Sequence, residues 1–251
     1  MGGMDDIWLF ILVGLAAQLV DGALGMAYGI TCTSLLLAMG APPALASASV
    51  HTAEVGTSAL SGASHAALGN VDRRLFWRLV LPGVGGAALG ALLIGWIDGA
   101  LLKPLVASYL VCVGGIVLWR TLRPRPPRQI EPGRLAPPPQ GLFAGFLDAV
   151  GGGGWGSINV TTLIARGVEP RIAIGTVNAA EFFVSVTVAG LLWQVVGPQA
   201  LPVVAGLLIG GLIAAPLAAL AAKRVPARIA SGLTGGVVLL LSVSTLAHSL
   251  I

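Results

Sequence analysis

The chain has 251 residues, 56% of them hydrophobic and 10% charged, and a mean hydropathy of +0.92. Soluble domains carry about a quarter charged residues, so this composition excludes a soluble globular protein and points to a membrane one. The formal net charge of +4 does not mark a nucleic-acid binder, because the basic residues stand in short loops between apolar runs.

The first residues, "MGGMDDIWLF", are acidic and lack a basic n-region, so they do not read as a cleavable signal peptide. They also lack the Ser or Thr at the sixth position that N-myristoylation requires. Cys32 and Cys112 sit in apolar surroundings, and there is no CxxC or His–Cys cluster. Neither a disulfide framework, a metal site nor a cofactor is indicated.

In chain order, residues 7–38 are apolar but interrupted by "DGALGMAYG" at 21–29. Three segments of membrane-spanning length follow, at 43–68, 76–97 and 101–119, each near the 20 or so residues a bilayer needs. Then comes "RTLRPRPPRQIEPGRLAPPPQ" (120–140), too proline-rich and charged to be helical in lipid. Residues 141–165 are apolar and interrupted by "DAVGGGGWG" at 148–156, and 172–196, 199–221 and 229–249 are again long enough to span. The pieces flanking each interruption are only about 10–14 residues, too short to cross a core of about 30 Å. Each interrupted region reads as a re-entrant hairpin or broken helix.

The two interrupted regions are related. A shift of 127 residues superposes Asp21 on Asp148, Tyr28 on Trp155, Gly29 on Gly156, Pro43 on Pro170 and Glu54 on Glu181, with 11 of 34 positions identical and no gap. The chain is therefore expected to be all-α, with two homologous halves, 1–119 and 141–251. Each half is a broken hairpin followed by three transmembrane helices, about eight hydrophobic elements in all. An N-terminus outside, a cytoplasmic 120–140 and a C-terminus outside put 13 of the 14 Lys and Arg inside, leaving only Lys103 outside. That count favours inverted repeats over eight spans in two parallel repeats, and inverted repeats meeting at broken helices are a common plan of secondary transporters.

Non-helical backbone at membrane depth is tolerated where it is buried in protein or lines a watery cavity. A helix restarting after Gly151, Gly152, Gly153 and Gly154 aims free N–H groups and its positive dipole end at the break, an anion-binding arrangement. Gly22, Gly25 and Gly29 offer the same in the first half; close helix packing is the bland alternative for all of them. Asp21, Glu54, Asp148 and Glu181 lie in apolar segments with no Lys or Arg beside them. Intramembrane carboxylates suggest proton or ion coupling, or gating. The two Asp residues can equally cap the half-helices that follow them. Glu54 and Glu181 lie inside their helices, where capping is a poor explanation. His51 and Asn178, three residues before each Glu, share its face. Each can donate to an oxyanion or pair with its own Glu. Ser49, Thr52, Thr161 and Thr176 add hydroxyls, although such groups often bond back to their own helix. Ser157 and Asn159 can line the same cavity; Tyr28 and Trp155 can wall it or merely pack. His65 and His248, near span ends, carry no assignment.

Through "GFLDAVGGGGWGSINVTTLIARGVEPRIAIGTVNAAEFF" (145–183), and its weaker echo in "VDGALGMAYG" and "GAPPALASASVHTAEVG", the chain resembles the sulfite exporter TauE/SafE family of bacterial membrane transporters. The resemblance extends over nearly the whole chain. It implies a multi-pass protein of the bacterial cytoplasmic (inner) membrane that moves a small anion, such as sulfite or an organosulfonate. Ser157 departs from the proline that family members commonly carry after the Trp-Gly pair. The partners expected are that anion and the lipid bilayer, with no nucleic acid; a homodimer is compatible with the sequence.

The combined expectation is a proton-coupled secondary transporter working by alternating access, its oxyanion held by the N–H groups of 22–29 and 151–157. A cation permease using the carboxylates directly is the rival within transport. An intramembrane enzyme would need a nucleophile–base pair or a motif such as HExxH or GxSxG, and none is present. A non-transporting scaffold gives no reason for duplicated acidic positions.

Overall fold

The computed structural model describes residues 7–24, 26–123, 138–221 and 227–249. Among them are ten α-helices, one short 3-10 turn at Gly197–Ala200 and no strand. The helices are α1 (Ile7–Leu24), α2 (Tyr28–Ala38), α3 (Pro43–Ala67), α4 (Arg73–Trp96), α5 (Gly99–Leu122), α6 (Pro138–Gly151), α7 (Trp155–Ala165), α8 (Pro170–Val196), α9 (Leu201–Ala221) and α10 (Ala227–Ser249). Gly25 and most of the proposed linker, 124–137, lie outside the described residues.

Local chemistry sets these boundaries. Pro43 and Pro170 open α3 and α8, where a missing N–H costs nothing. Asp72 starts α4 by accepting from the Leu75 N–H at 2.8 Å, and Asp98 starts α5 by accepting from Ala100 at 2.7 Å. Both interrupted regions are broken, one between α1 and α2 and the other at Gly152–Gly154. The limbs are unequal, contrary to the expected 10–14 residues: α1 has 18, because the helix continues through Asp21 and Gly22 to Leu24. At about 1.5 Å per residue it reaches roughly 27 Å, while the 11-residue α2 and α7 reach only about 16 Å. Arg120 to Leu122, placed in the linker by sequence, extend α5 by one turn, and Pro138 to Gln140 begin α6.

Four stretches among the described residues are long and apolar enough to cross a membrane: Arg73–Trp96, Gly99–Leu122, Pro170–Ala214 and Ser231–Ser249. The 25-residue α3 is long enough, but its Ser, Thr, His51 and Glu54 side chains keep it out of this set. It is a central helix whose polar face turns inward. Trp8, Leu12, Leu81, Trp96 and Leu240 are exposed on the outer surface, as lipid-facing side chains are.

The two halves interlock. α1 packs along α9 and α6 along α4, so each broken hairpin lies against the other half. Both pairs run parallel: Gly206 faces Ile7 and Phe10 while Gly210 faces Ile11 and Leu15, and Gly141 faces Leu79 while Gly90 faces Phe146 and Ala149. A Cβ at Gly86 would stand 1.9 Å from the Leu142 carbonyl oxygen, so backbone meets backbone there. α3 runs antiparallel to its counterpart α8, with Glu54 near Ser185 and Ser61 against Asn178. α5 runs antiparallel to α10, with Gly114 near Leu239 and Leu118 near Gly235.

Candidate functional site

The two breaks meet at the centre of the bundle. The Asp21 carboxylate stays in the last turn of α1 and reaches across the first break, where Oδ1 accepts from the Ala27 N–H at 2.6 Å and the Tyr28 N–H at 3.1 Å. Asp148 does the same from α6, accepting from the Trp155 N–H at 2.7 Å. Both Asp residues thus satisfy orphan donors at the start of the next half-helix. The second break needs its glycines: Gly152 has φ +64° and Gly153 φ +148°, and a Cβ on Gly153 would come within 2.3 Å of the Gly29 carbonyl carbon. Side chains tie the breaks together. Ser157 Oγ donates to the Met26 carbonyl at 2.8 Å, Thr33 Oγ1 donates to the Gly152 carbonyl, and the Tyr109 hydroxyl donates to the Gly153 carbonyl at 3.2 Å.

Equivalent residues of the two halves have different partners. His51 Nε2 stands 3.0 Å from Asp148 Oδ2, with both side chains fully enclosed, and its Nδ1 lies 2.8 Å from the Ser47 carbonyl. A carbonyl oxygen only accepts, so Nδ1 carries a proton. The Nε2–Oδ2 contact then holds one further proton between imidazole and carboxylate. Asn178, the counterpart of His51, donates to Ser61 Oγ at 2.9 Å. Neither side chain pairs with the Glu on its own face. The sequence expectation missed the His51–Asp148 pair because its members are 97 residues apart and Glu54 is the nearer carboxylate along the helix.

One cavity lies where the breaks and α3 and α8 converge. Asp21, Glu54 and Glu181 all line it, together with Asn178, Tyr28, Gly29 and Gly154 from the sequence-derived set. Glu54 is 4% exposed; its Oε2 accepts from Ser185 Oγ at 3.4 Å, and Oε1 sits beside Gly29. Gly29 and Gly156 occupy the first turns of α2 and α7, where N–H groups have no intrahelical acceptor. The space open to water between these walls is ≈ 20 Å³, about enough for one water molecule. A multi-atom ligand therefore requires the walls to move.

The remaining candidates serve the frame around the cavity. Trp155 is fully buried, donates Nε1–H to the Val177 carbonyl at 3.0 Å and packs on Gly83. Asn159 donates to the Trp155 carbonyl and accepts from Gln140, both at 3.0 Å. Gly151 lies against the Tyr109 ring, Gly22 falls within α1, and Thr52 bonds back to Ala48. Thr176 accepts from the Asp72 N–H at 3.0 Å, fixing the α3–α4 turn.

Gln18, Thr57, Ser58 and Ser61 also line the cavity and were not singled out by sequence. Their signal was available: Gln18 precedes Asp21 by three residues, and Ser58 and Ser61 follow Glu54 at helical spacing. Gln18 Oε1 is buried with no partner, an unusual state for a polar atom.

A helical bundle with broken helices and buried carboxylates at its centre is a plan found among membrane transporters. A family model described as "Sulfite exporter TauE/SafE" matches residues 10–245. The "Probable membrane transporter protein YtnM" of Bacillus subtilis (strain 168) is 43% identical over 253 residues, covering 97% of this chain and 83% of that protein. A "Probable membrane transporter protein" of Haemophilus influenzae is 29% identical over 213 residues, covering 77% of this chain and 79% of that protein. No solved structure matches. The chain belongs to the sulfite exporter TauE/SafE family and is a multi-pass membrane transporter.

Proposed function

We propose that the protein carries a small sulfite-like or organosulfur anion across the bacterial cytoplasmic membrane, together with protons, by alternating access. One observation carries this reading: Asp21, Glu54 and Glu181 share a cavity with the glycine-rich starts of two half-helices, and among the described residues no Lys or Arg lines it. An anion beside ionised carboxylates is repelled by several of them at once. With Glu54 and Glu181 protonated, the same side chains become hydrogen-bond donors, and the first-turn N–H groups of α2 and α7 supply the rest of the oxyanion's partners. Anion and protons therefore bind as one load. Asp21 and Asp148 hold the half-helices in place.

The antiparallel packing of α3 on α8 and of α5 on α10 supports two repeats of inverted topology, since inversion turns each element against its counterpart. The tightness of the cavity supports a carrier cycle over an open pore. The family's description supports a sulfite-like cargo.

The test is uptake of labelled sulfite and sulfoacetate into proteoliposomes of the purified protein. Flux should rise when the anion's own side is acidified and collapse in Glu181→Gln. The three carboxylates also favour a second reading, a cation permease. Labelled rubidium or sodium flux that rises with alkalinity, with no anion flux, would establish that reading and overturn the first.

A further inference from the structure

A second cavity of ≈ 260 Å³ lies between α5, α7 and α10, lined by Arg120, Arg228, Ser231, Thr121, Thr161 and Met26. Met26 also lines the central cavity, so the two spaces share a wall residue. We propose that this crevice is a separate oxyanion-binding vestibule, in which Arg120 and Arg228 collect the anion before it passes Met26. The assignment rests on the anion-carrier reading above, but its test does not.

Position argues first. α2 packs on α10 and α5, with Ser34 Oγ 3.3 Å from Ser242 Oγ. Its counterpart α7 makes no comparable packing on α5 or α10 among the described residues. The crevice occupies the space left open. The groove between α5 and α10 is thus filled by α2 on one side and left open beside α7 on the other, at the end that the distribution of Lys and Arg assigns to the cytoplasm.

Charge argues second. Arg120 lies in the last turn of α5, where a cation suits the helix dipole without further purpose. Arg228 has no such explanation: it is the second residue of α10, where the dipole disfavours a cation. Its Nε donates to the Thr121 carbonyl at 3.1 Å, which fixes the guanidinium at the mouth with further N–H groups to offer. The Thr121 and Thr161 hydroxyls donate to their own helices at 2.8 and 2.5 Å, so the arginines and Ser231 remain as the donors. Among the described residues no carboxylate lines this space. The vestibule is electropositive and the central cavity acidic. The wall they share includes Met26, an unbranched side chain able to change rotamer.

The experiment measures local potential directly. Ser231→Cys is made in a Cys112→Ser background, because Cys112 is exposed and Cys32 is buried. The full-length variant is treated with a sulfonate-bearing methanethiosulfonate and with its trimethylammonium analogue. The anionic reagent should react faster, by roughly tenfold after correction against a small free thiol. Sulfate should slow it, and Arg120→Gln with Arg228→Gln should remove the preference. Thr161→Cys provides a second reporter should Ser231→Cys fail to fold. Equal rates for the two reagents, a preference that survives loss of both arginines, or protection by phosphatidylglycerol but not by sulfate would each overturn the assignment; the last would make the crevice a lipid-headgroup site. A vestibule that passes this test in a protein without anion flux would sink the carrier reading alone.

Discussion

Replacing His51 by Ala removes one partner of a pair buried at 0% and 1% exposure and leaves the Asp148 carboxylate facing a void. Breaking a buried pair in this way costs about 3–5 kcal/mol, because the survivor is desolvated and uncompensated. Asp148→Asn is a sharper probe than it looks. The carboxamide oxygen can still accept from the Trp155 N–H, and the amide N–H can donate to the Nε2 of a neutral His51, whose Nδ1–H keeps its bond to the Ser47 carbonyl. Both bonds survive without charge, so the expected loss is under about 1 kcal/mol. Thermal denaturation in one detergent, followed by loss of the monodisperse peak in size-exclusion chromatography, should put His51→Ala on the order of 10 °C below the wild type and Asp148→Asn within a few degrees of it. Equal losses in the two variants, or an undisturbed His51→Ala, would refute the argument that a shared proton and two directed bonds hold the second break.

Glu54→Gln and Glu181→Gln should fold normally and reduce proton-driven flux at least tenfold, roughly 1.4 kcal/mol of lost coupling, as measured in proteoliposomes with and without a pH gradient. Gly153→Ala should fail to yield folded protein, since its Cβ meets the Gly29 backbone at 2.3 Å in a left-handed conformation; Gly85→Ala, with open space around it, should match the wild type in expression and melting. Gln18→Leu removes a partnerless buried oxygen, so its melting temperature should stay level or rise while anion flux falls if that amide meets the cargo.

Much of this architecture is legible in the sequence because membrane helices announce themselves by length and composition. Pro43 and Pro170, 127 residues apart, mark two of the helix starts that the structure shows. The length of α1 is not legible, since nothing before the fact tells a glycine that ends a helix from Gly22, which continues one. The site is legible in its carboxylates but not in its partners. Sequence spacing reports neighbours on one helix, so it offered Glu54 to His51; the true partner comes from another helix. The 127-residue sequence match misled in the same way. It implied equal roles for His51 and Asn178, whereas imidazole and amide differ in reach and protonation and are used differently. Trp155 shows the converse: an aromatic beside a glycine run suggests a ligand wall, but its size makes it a core residue sealed against Gly83.

The interlocking of α1 with α9 sets a schedule for biogenesis. α1 leaves the ribosome well before α9, yet the surface that covers its glycine face is made only when the chain reaches α9. Until then the glycine face of α1 lies uncovered in the membrane, and α4 must wait likewise for α6. The long delay between partners leaves the half-made chain with small-residue faces open to wrong partners, and makes the second half the template on which the first is completed.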